Sequence, residues 1–192
     1  MSSPSPVPTD SSDPDAGGEL LPAIARAAIL EALSGKPPKG KLPEVAGYLA
    51  QSRAVFVTLR DKKGELRGCI GSVEPKASDL IAETRESAKL AALGDPLCEP
   101  VKDSRELKKL SIEVSVLGPL ERVESIIELD PEIYGVVLTA TKTGNRGVML
   151  PNEPGLNTVD KQLAAIRRKA GLRPDERLRI ERFRVETFTE AE

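Results

Sequence analysis

The sequence predicts an α+β fold, with a mixed or antiparallel sheet made of hairpins and helices flanking it. Two pairs of β-rich runs are joined by short polar connections, at 60–64 and 141–145. Three stretches place apolar residues at helical spacing. Strands and helices alternate irregularly, without the βαβ repeat of a parallel sheet.

The first helical stretch follows Glu19. Leu20, Ile24, Ala27 or Ala28, and Leu33 recur at helical spacing, and Gly35 supplies a stop. KPPKGKLPEVAG (36–47) is too rich in Pro and Gly for a long element. VFVTL (55–59) and ELRGCI (65–70) flank the Arg60–Gly64 connection as a β-hairpin. A helix is expected over 78–93. Ser78 is its expected cap, Asp79 suits the positive first turn, and Leu80, Thr84, Ala88, Ala91 and Ala92 form the buried stripe. Gly94 stands where a left-handed terminator belongs.

Asp103 and Glu106 have capping-box spacing ahead of a short helix. Ile112, Val114 and Val116 alternate as a strand that Gly118-Pro119 stops. GVVLTA (135–140) and RGVMLP (146–151) read as a second hairpin. Asn157 opens the last expected helix, with Asp160 three residues on, Val159, Leu163, Ile166 and Ala170 as its stripe, and Gly171 as its stop. In the final strand Leu178 and Ile180 alternate on even numbers, but Phe183 and Val185 on odd ones, so a bulge or bend is expected near Arg182.

Composition removes several classes of function. The 192 residues include no histidine and two cysteines. A Ser-His-Asp triad, a Cys-His pair, a His-containing metal site and a Cys₄ zinc site are thereby excluded within this chain. No metal and no cofactor is called for. A net charge of −2 and 3% aromatic residues argue against a phosphate-binding surface and against base stacking. No apolar run reaches the roughly 18 residues of a membrane span. The N-terminus has no secretory pattern, and two widely spaced cysteines fit a reducing compartment, so the expected location is cytoplasmic. Residues 1–18, rich in Ser, Pro and Asp, are expected to be a disordered tail, and 19–190 a single domain.

The segment with the most chemistry is Leu66-Arg67-Gly68-Cys69-Ile70-Gly71-Ser72. On a regular strand Arg67 and Cys69 share a face, about 7 Å apart at the backbone. A guanidinium that close favours a nucleophilic thiolate, which makes Cys69 the candidate catalytic residue. The bland reading is a small buried side chain between two glycines that let a ligand or another backbone come close. Cys98, in the loop DPLCEP, reads as a packed or solvated thiol. Glu74, Asp95, Glu99 and Asp103 show no spacing that marks an acid–base pair. Arg167-Arg168-Lys169 fall in the last turn of a helix, where the dipole favours cations, and so argue weakly for nucleic acid.

Several segments together resemble the AMMECR domain family, whose bacterial members are similar to protein A of the so-called AmmeMemoRadiSam system. They are VFVTLRDKKGELRGCIGSVEP with its LRGCIG hallmark, LKKLSIEVSVLGPLE, RGVMLP, TVDKQLAAIRRKAGL and RFRVETF, and the resemblance runs from about Glu19 to Phe188. It implies an α+β fold of two unequal lobes, with LRGCIG contributing to a cleft, and partnership with a Memo-like protein and a radical S-adenosylmethionine enzyme. It supplies no reaction. Arg67, Gly68, Cys69 and Gly71 match the family pattern, as do Lys169 and Gly171. Where the family carries Asp-Pro-Arg-Phe, this chain has Asp95-Pro96-Leu97-Cys98.

Three functions follow as expectations. The first is a ligand- or partner-binding accessory protein whose cleft uses Leu66, Arg67, Gly68, Cys69, Ile70, Gly71 and Ser72. The second is a cysteine-dependent enzyme or modification acceptor with Cys69 activated by Arg67. The third, a nucleic-acid-associated regulator, has the near-neutral charge against it.

Overall fold

The computed structural model describes residues 15–37 and 40–190. It is an α+β arrangement with two four-stranded sheets. Of the stretch expected as a tail, 1–14 lie outside the described residues, whereas Asp15–Gly18 form a helical turn, α1. Gly17 and Gly18 are there for close packing. A Cβ on Gly18 would sit 2.0 Å from the Phe188 ring, and one on Gly17 3.3 Å from Tyr48 and Leu49.

Helix α2 (Leu21–Ser34) starts with Pro22 in its first turn and ends on Gly35 in the left-handed conformation, φ 65°, as expected. Its buried stripe is Leu21, Ile24, Ala25, Ala28 and Ile29. The expected stripe through Leu20 and Leu33 is displaced, since Leu20 precedes the helix and is exposed, and Leu33 is only half-buried. Arg26 is built into this unit: its guanidinium donates to Leu107 O (2.9 Å), Leu110 O (2.7 Å) and the Glu190 carboxylate.

A 3-10 turn (Gly47–Ala50) leads to the first hairpin, β1 (Val55–Arg60) and β2 (Leu66–Gly71), antiparallel as expected. The Asp61 carboxylate accepts from the backbone of Lys63 and Glu65, and Gly64 takes φ 81°, which closes the turn. Helix α3 (Leu80–Leu93) follows. Its cap is Asp79, which accepts from Ala82 N at 2.8 Å; the expected cap, Ser78, instead bonds the Asp79 carboxylate. Gly94 ends the helix at φ −128°, not in the left-handed region, with its N–H on Leu90 O.

Asp103 caps the short α4 (Ser104–Leu107), but Glu106 bonds Lys102 N rather than completing the expected box. Then come β3 (Ser111–Leu117), the two-residue β4 (Glu121–Arg122) and the second hairpin, β5 (Gly135–Ala140) with β6 (Arg146–Met149). Helix α5 (Val159–Ala170) is capped by Thr158 rather than Asn157, and Gly171 closes it at φ 63°. The chain ends in β7 (Leu178–Phe183) and β8 (Val185–Thr189).

One sheet has the order β2-β1-β3-β8, the other β4-β7-β5-β6. The parity change in the final strand is therefore a switch of sheet. The break falls at Arg184, two residues beyond the position expected, and the Arg184 carbonyl accepts from Gly118 N at 2.8 Å. The chain divides into two compact units of unequal length, cut between Val114 and Ser115 and between Thr187 and Phe188. In the first unit α3 packs on β1 and β2, with Val55, Val57 and Leu59 fully buried. In the second, α5 packs on β5 and β6 around Val136, Leu138 and Ile166.

Candidate functional site

The LRGCIG segment is strand β2, at the edge of its sheet. Edge position leaves every second N–H and C=O of a strand without a ladder partner. Alternation then sorts the side chains. Leu66, Gly68 and Ile70 share one face, and Arg67, Cys69 and Gly71 the other.

Both glycines serve a close backbone approach. A Cβ on Gly68 would lie 2.0 Å from Ala91 O, so this residue lets α3 sit directly on the strand. A Cβ on Gly71 would lie 2.2 Å from Val55 O. Of the two uses the sequence left open for these glycines, the structure realises contact with another backbone.

Cys69 lies opposite Thr58 in the hairpin, and the Thr58 hydroxyl donates to its sulfur at 3.3 Å. Its outward N–H donates to Asp95 Oδ2 at 2.8 Å. The other oxygen of Asp95 accepts from Leu97 N at 2.9 Å, and its carbonyl accepts from Cys98 N at 3.3 Å. One side chain thus closes the turn Asp95-Pro96-Leu97-Cys98 and fastens it to the exposed edge of β2. Val101 N, bonded to Ala92 O at 2.8 Å, returns the loop to α3.

Arg67 meets Glu106 at 2.7 Å, both side chains about a quarter exposed. The second oxygen of Glu106 takes Lys102 N at 2.8 Å. That backbone bond and the Arg67 guanidinium hold the Glu106 carboxyl below the ordinary glutamate range. The Nε and Nη1 donors of Arg67 have no partner among the described residues. Cys98 is affected in the opposite direction. Burial, and then the Asp95 charge, push its thiol up, with Arg67 opposing them. Both cysteines are half-buried thiols rather than disulfide partners.

The arrangement is a ledge along an edge strand, carrying one guanidinium, two carboxylates and two thiols. Sequence reasoning found Arg67 and Cys69 but gave Asp95 and Glu106 no part in it, counting the first among unpaired carboxylates and the second as a helix cap. The one signal for Asp95 was its place in an Asp-Pro turn directly after a helix stop. The remaining residues of the segment are structural neighbours: Leu66 is exposed, Ile70 lines a 120 Å³ hollow with Leu90, and the Ser72 hydroxyl donates to Glu74 O. Sequence reasoning also missed Glu83, a buried carboxylate on α3 that accepts from Lys76 N and Ala77 N and so fixes the loop following the segment. Asp103 stays a helix cap, paired with Arg105. Among the described residues no cluster of His, Cys, Asp or Glu is arranged to hold a metal ion, and no helix is long and apolar enough to cross a membrane.

Known proteins are similar to this chain. A protein of Thermotoga maritima is 42% identical over 153 residues, covering 79% of this chain and 84% of its own. One of Methanothermobacter thermautotrophicus is 39% identical over 184 residues, 90% of this chain and 94% of the other. A relative from Clostridium acetobutylicum is 36% identical over 156 residues, which make up only 32% of its length. The crystal structure of an uncharacterised protein from Pyrococcus horikoshii matches with a TM-score of 0.77 at 30% identity, over 90% of this chain and 91% of that one. The AMMECR1 family model spans residues 22–190, nearly all of the described fold, and the chain belongs to the AMMECR1 family.

Proposed function

We propose that this chain is a cytoplasmic binding module that acts as an accessory to a Memo-like protein and a radical S-adenosylmethionine enzyme, with Arg67 as the recognition residue of the Leu66–Ser72 segment. The observation that carries the proposal is the state of that guanidinium. Glu106 orients it through one nitrogen, while Nε and Nη1 stay uncommitted among the described residues. An arginine oriented in this way presents its remaining N–H donors, already held in place, to a carboxylate or carbonyl. The charges around it favour binding over nucleophilic chemistry. Glu106 shares the positive charge of Arg67, and the Cys69 backbone N–H is held by the Asp95 carboxylate. A related segment occupying only a third of a longer Clostridium acetobutylicum protein also supports a module that works beside other domains.

The test is co-purification of the full chain with a Memo-like protein and a radical S-adenosylmethionine enzyme from the same organism. The wild-type chain should retain at least one of them, and the double variant Arg67→Gln, Cys69→Ser should lose it while keeping its melting temperature. Equal recovery by both chains would contradict the proposal.

A further inference from the structure

Helix α2 buries Leu21, Ile24, Ala25, Ala28 and Ile29, and its opposite side is apolar as well. That side carries Ala27, Leu30 and Leu33, which line an 840 Å³ groove together with Lys36 and the segment from Lys102 to Ser104. Past Ala27 the groove continues as a 300 Å³ hollow against Leu42 and Pro43. Leu20, Leu30 and Leu42 are 43%, 38% and 37% exposed, so the apolar strip is open to solvent along this side of the helix. From Ala23 to Leu33 it follows about 15 Å of helix.

The charges at the groove are unevenly spent. Glu31 is paired with Arg85, a guanidinium whose Nη1 is buried with no partner. Asp103 is paired with Arg105 and also accepts the backbone N–H groups of Arg105 and Glu106. Lys36 and Lys102 form no ion pair among the described residues, although the Lys102 charge is felt by the Glu106 carboxylate. The lining thus carries two carboxylates already paired with arginines outside it, and two lysines that form no ion pair among the described residues.

We propose that this groove is a binding site for a small amphipathic anion, a linear hydrocarbon chain ending in a carboxylate or phosphate. The chain lies along Ala27, Leu30 and Leu33, where its burial supplies most of the affinity. The head group rests between Lys36 and Lys102, which give polarity and direction. The site is separate from Arg67 and Cys69, although one segment joins them, since Lys102 lies on the groove and its N–H bonds Glu106.

The test is calorimetric titration of the full chain with sodium dodecanoate and with dodecyl phosphate, each below its micelle concentration, and with dodecyltrimethylammonium as the cationic control. One saturable site is expected for each anion and none for the cation; a difference between the two anions tells which head group the lysines prefer. Lys36→Ala with Lys102→Ala should weaken anion binding about tenfold. Leu30→Asp should abolish it, and Cys69→Ser should leave it unchanged. Because these substitutions are on the surface, an unchanged melting temperature serves as the folding control. Equal uptake of the cation, several weak sites per chain, an unchanged affinity in the double lysine variant, or binding of an acidic amphipathic peptide but of neither anion would overturn the proposal.

Discussion

The Asp95 carboxylate accepts the backbone N–H of Cys69 at 2.8 Å, across 26 positions of sequence. This single bond covers an edge-strand amide and holds the Asp95–Cys98 turn against the LRGCIG segment. Asp95→Ala should destabilise the fold by about 1–3 kcal/mol, the usual cost of losing a charge-assisted bond. The Cys69 amide should also exchange hydrogen faster than its β1 neighbours, which stay in the ladder. Unchanged protection at Cys69 would show that the edge is held by something else.

The same carboxylate adds to the effect of burial on the Cys98 thiol. Cys98 is pushed up by burial and by Asp95, while Arg67 works the other way. In a Cys69→Ser background, where Cys98 is the one thiol left, its alkylation midpoint should lie above that of a free cysteine. Asp95→Asn should lower that midpoint and Arg67→Gln should raise it. The opposite pair of shifts would place Cys98 outside the reach of both charges.

Much of the architecture was legible because it rests on local periodicity. The hairpin at 55–71, the α3 stripe and the α5 stripe with its Gly171 stop are all short-range patterns. What was not legible depended on distant backbone. The bond of Asp95 to Cys69 and the bond of Glu106 to Arg67 link side chains to partners dozens of residues away. The displaced stripe on α2 has a different cause. That helix is apolar on two sides, so spacing alone does not tell the core face, with Ile24 and Ala28, from the groove face, with Ala27 and Leu30. The odd–even change near the C-terminus was visible in the sequence. Its meaning, a move from one sheet to the other, needed the strand order.

Gly68 should tolerate no side chain. Gly68→Ala places a methyl 2.0 Å from the Ala91 carbonyl, and the neighbour that must give way is helix backbone. A loss of about 3 kcal/mol is expected in thermal or denaturant unfolding. Gly144→Ala, at a left-handed turn with open space around it, should cost only about 1 kcal/mol. Similar losses for the two variants would contradict the close approach of α3.

Acid should weaken the ledge. Glu106 has its folded-state pKa depressed, first by Lys102 N and then by Arg67. A depressed carboxyl contributes stability that is present above its unfolded value of 4.5 and is lost as the pH falls through the folded value. Asp103, lowered by the α4 backbone and by Arg105, acts in the same direction below 3.8. Glu106→Gln should therefore narrow the stability gap between pH 7 and pH 3, as measured by urea unfolding. A gap equal to that of the wild type would remove Glu106 from the account.

The role proposed for Arg67 is recognition of a partner, with Glu106 only orienting it. The most direct measurement is the dissociation constant of the full chain for a Memo-like protein, compared across Arg67→Gln, Glu106→Gln and Cys69→Ser. Arg67→Gln should weaken binding about tenfold or more, as expected for a lost charge-assisted bond. The other two variants should stay close to wild type. An Arg67→Gln chain that binds as tightly as wild type, or a Cys69→Ser chain that alone loses binding, would rule out this role for Arg67.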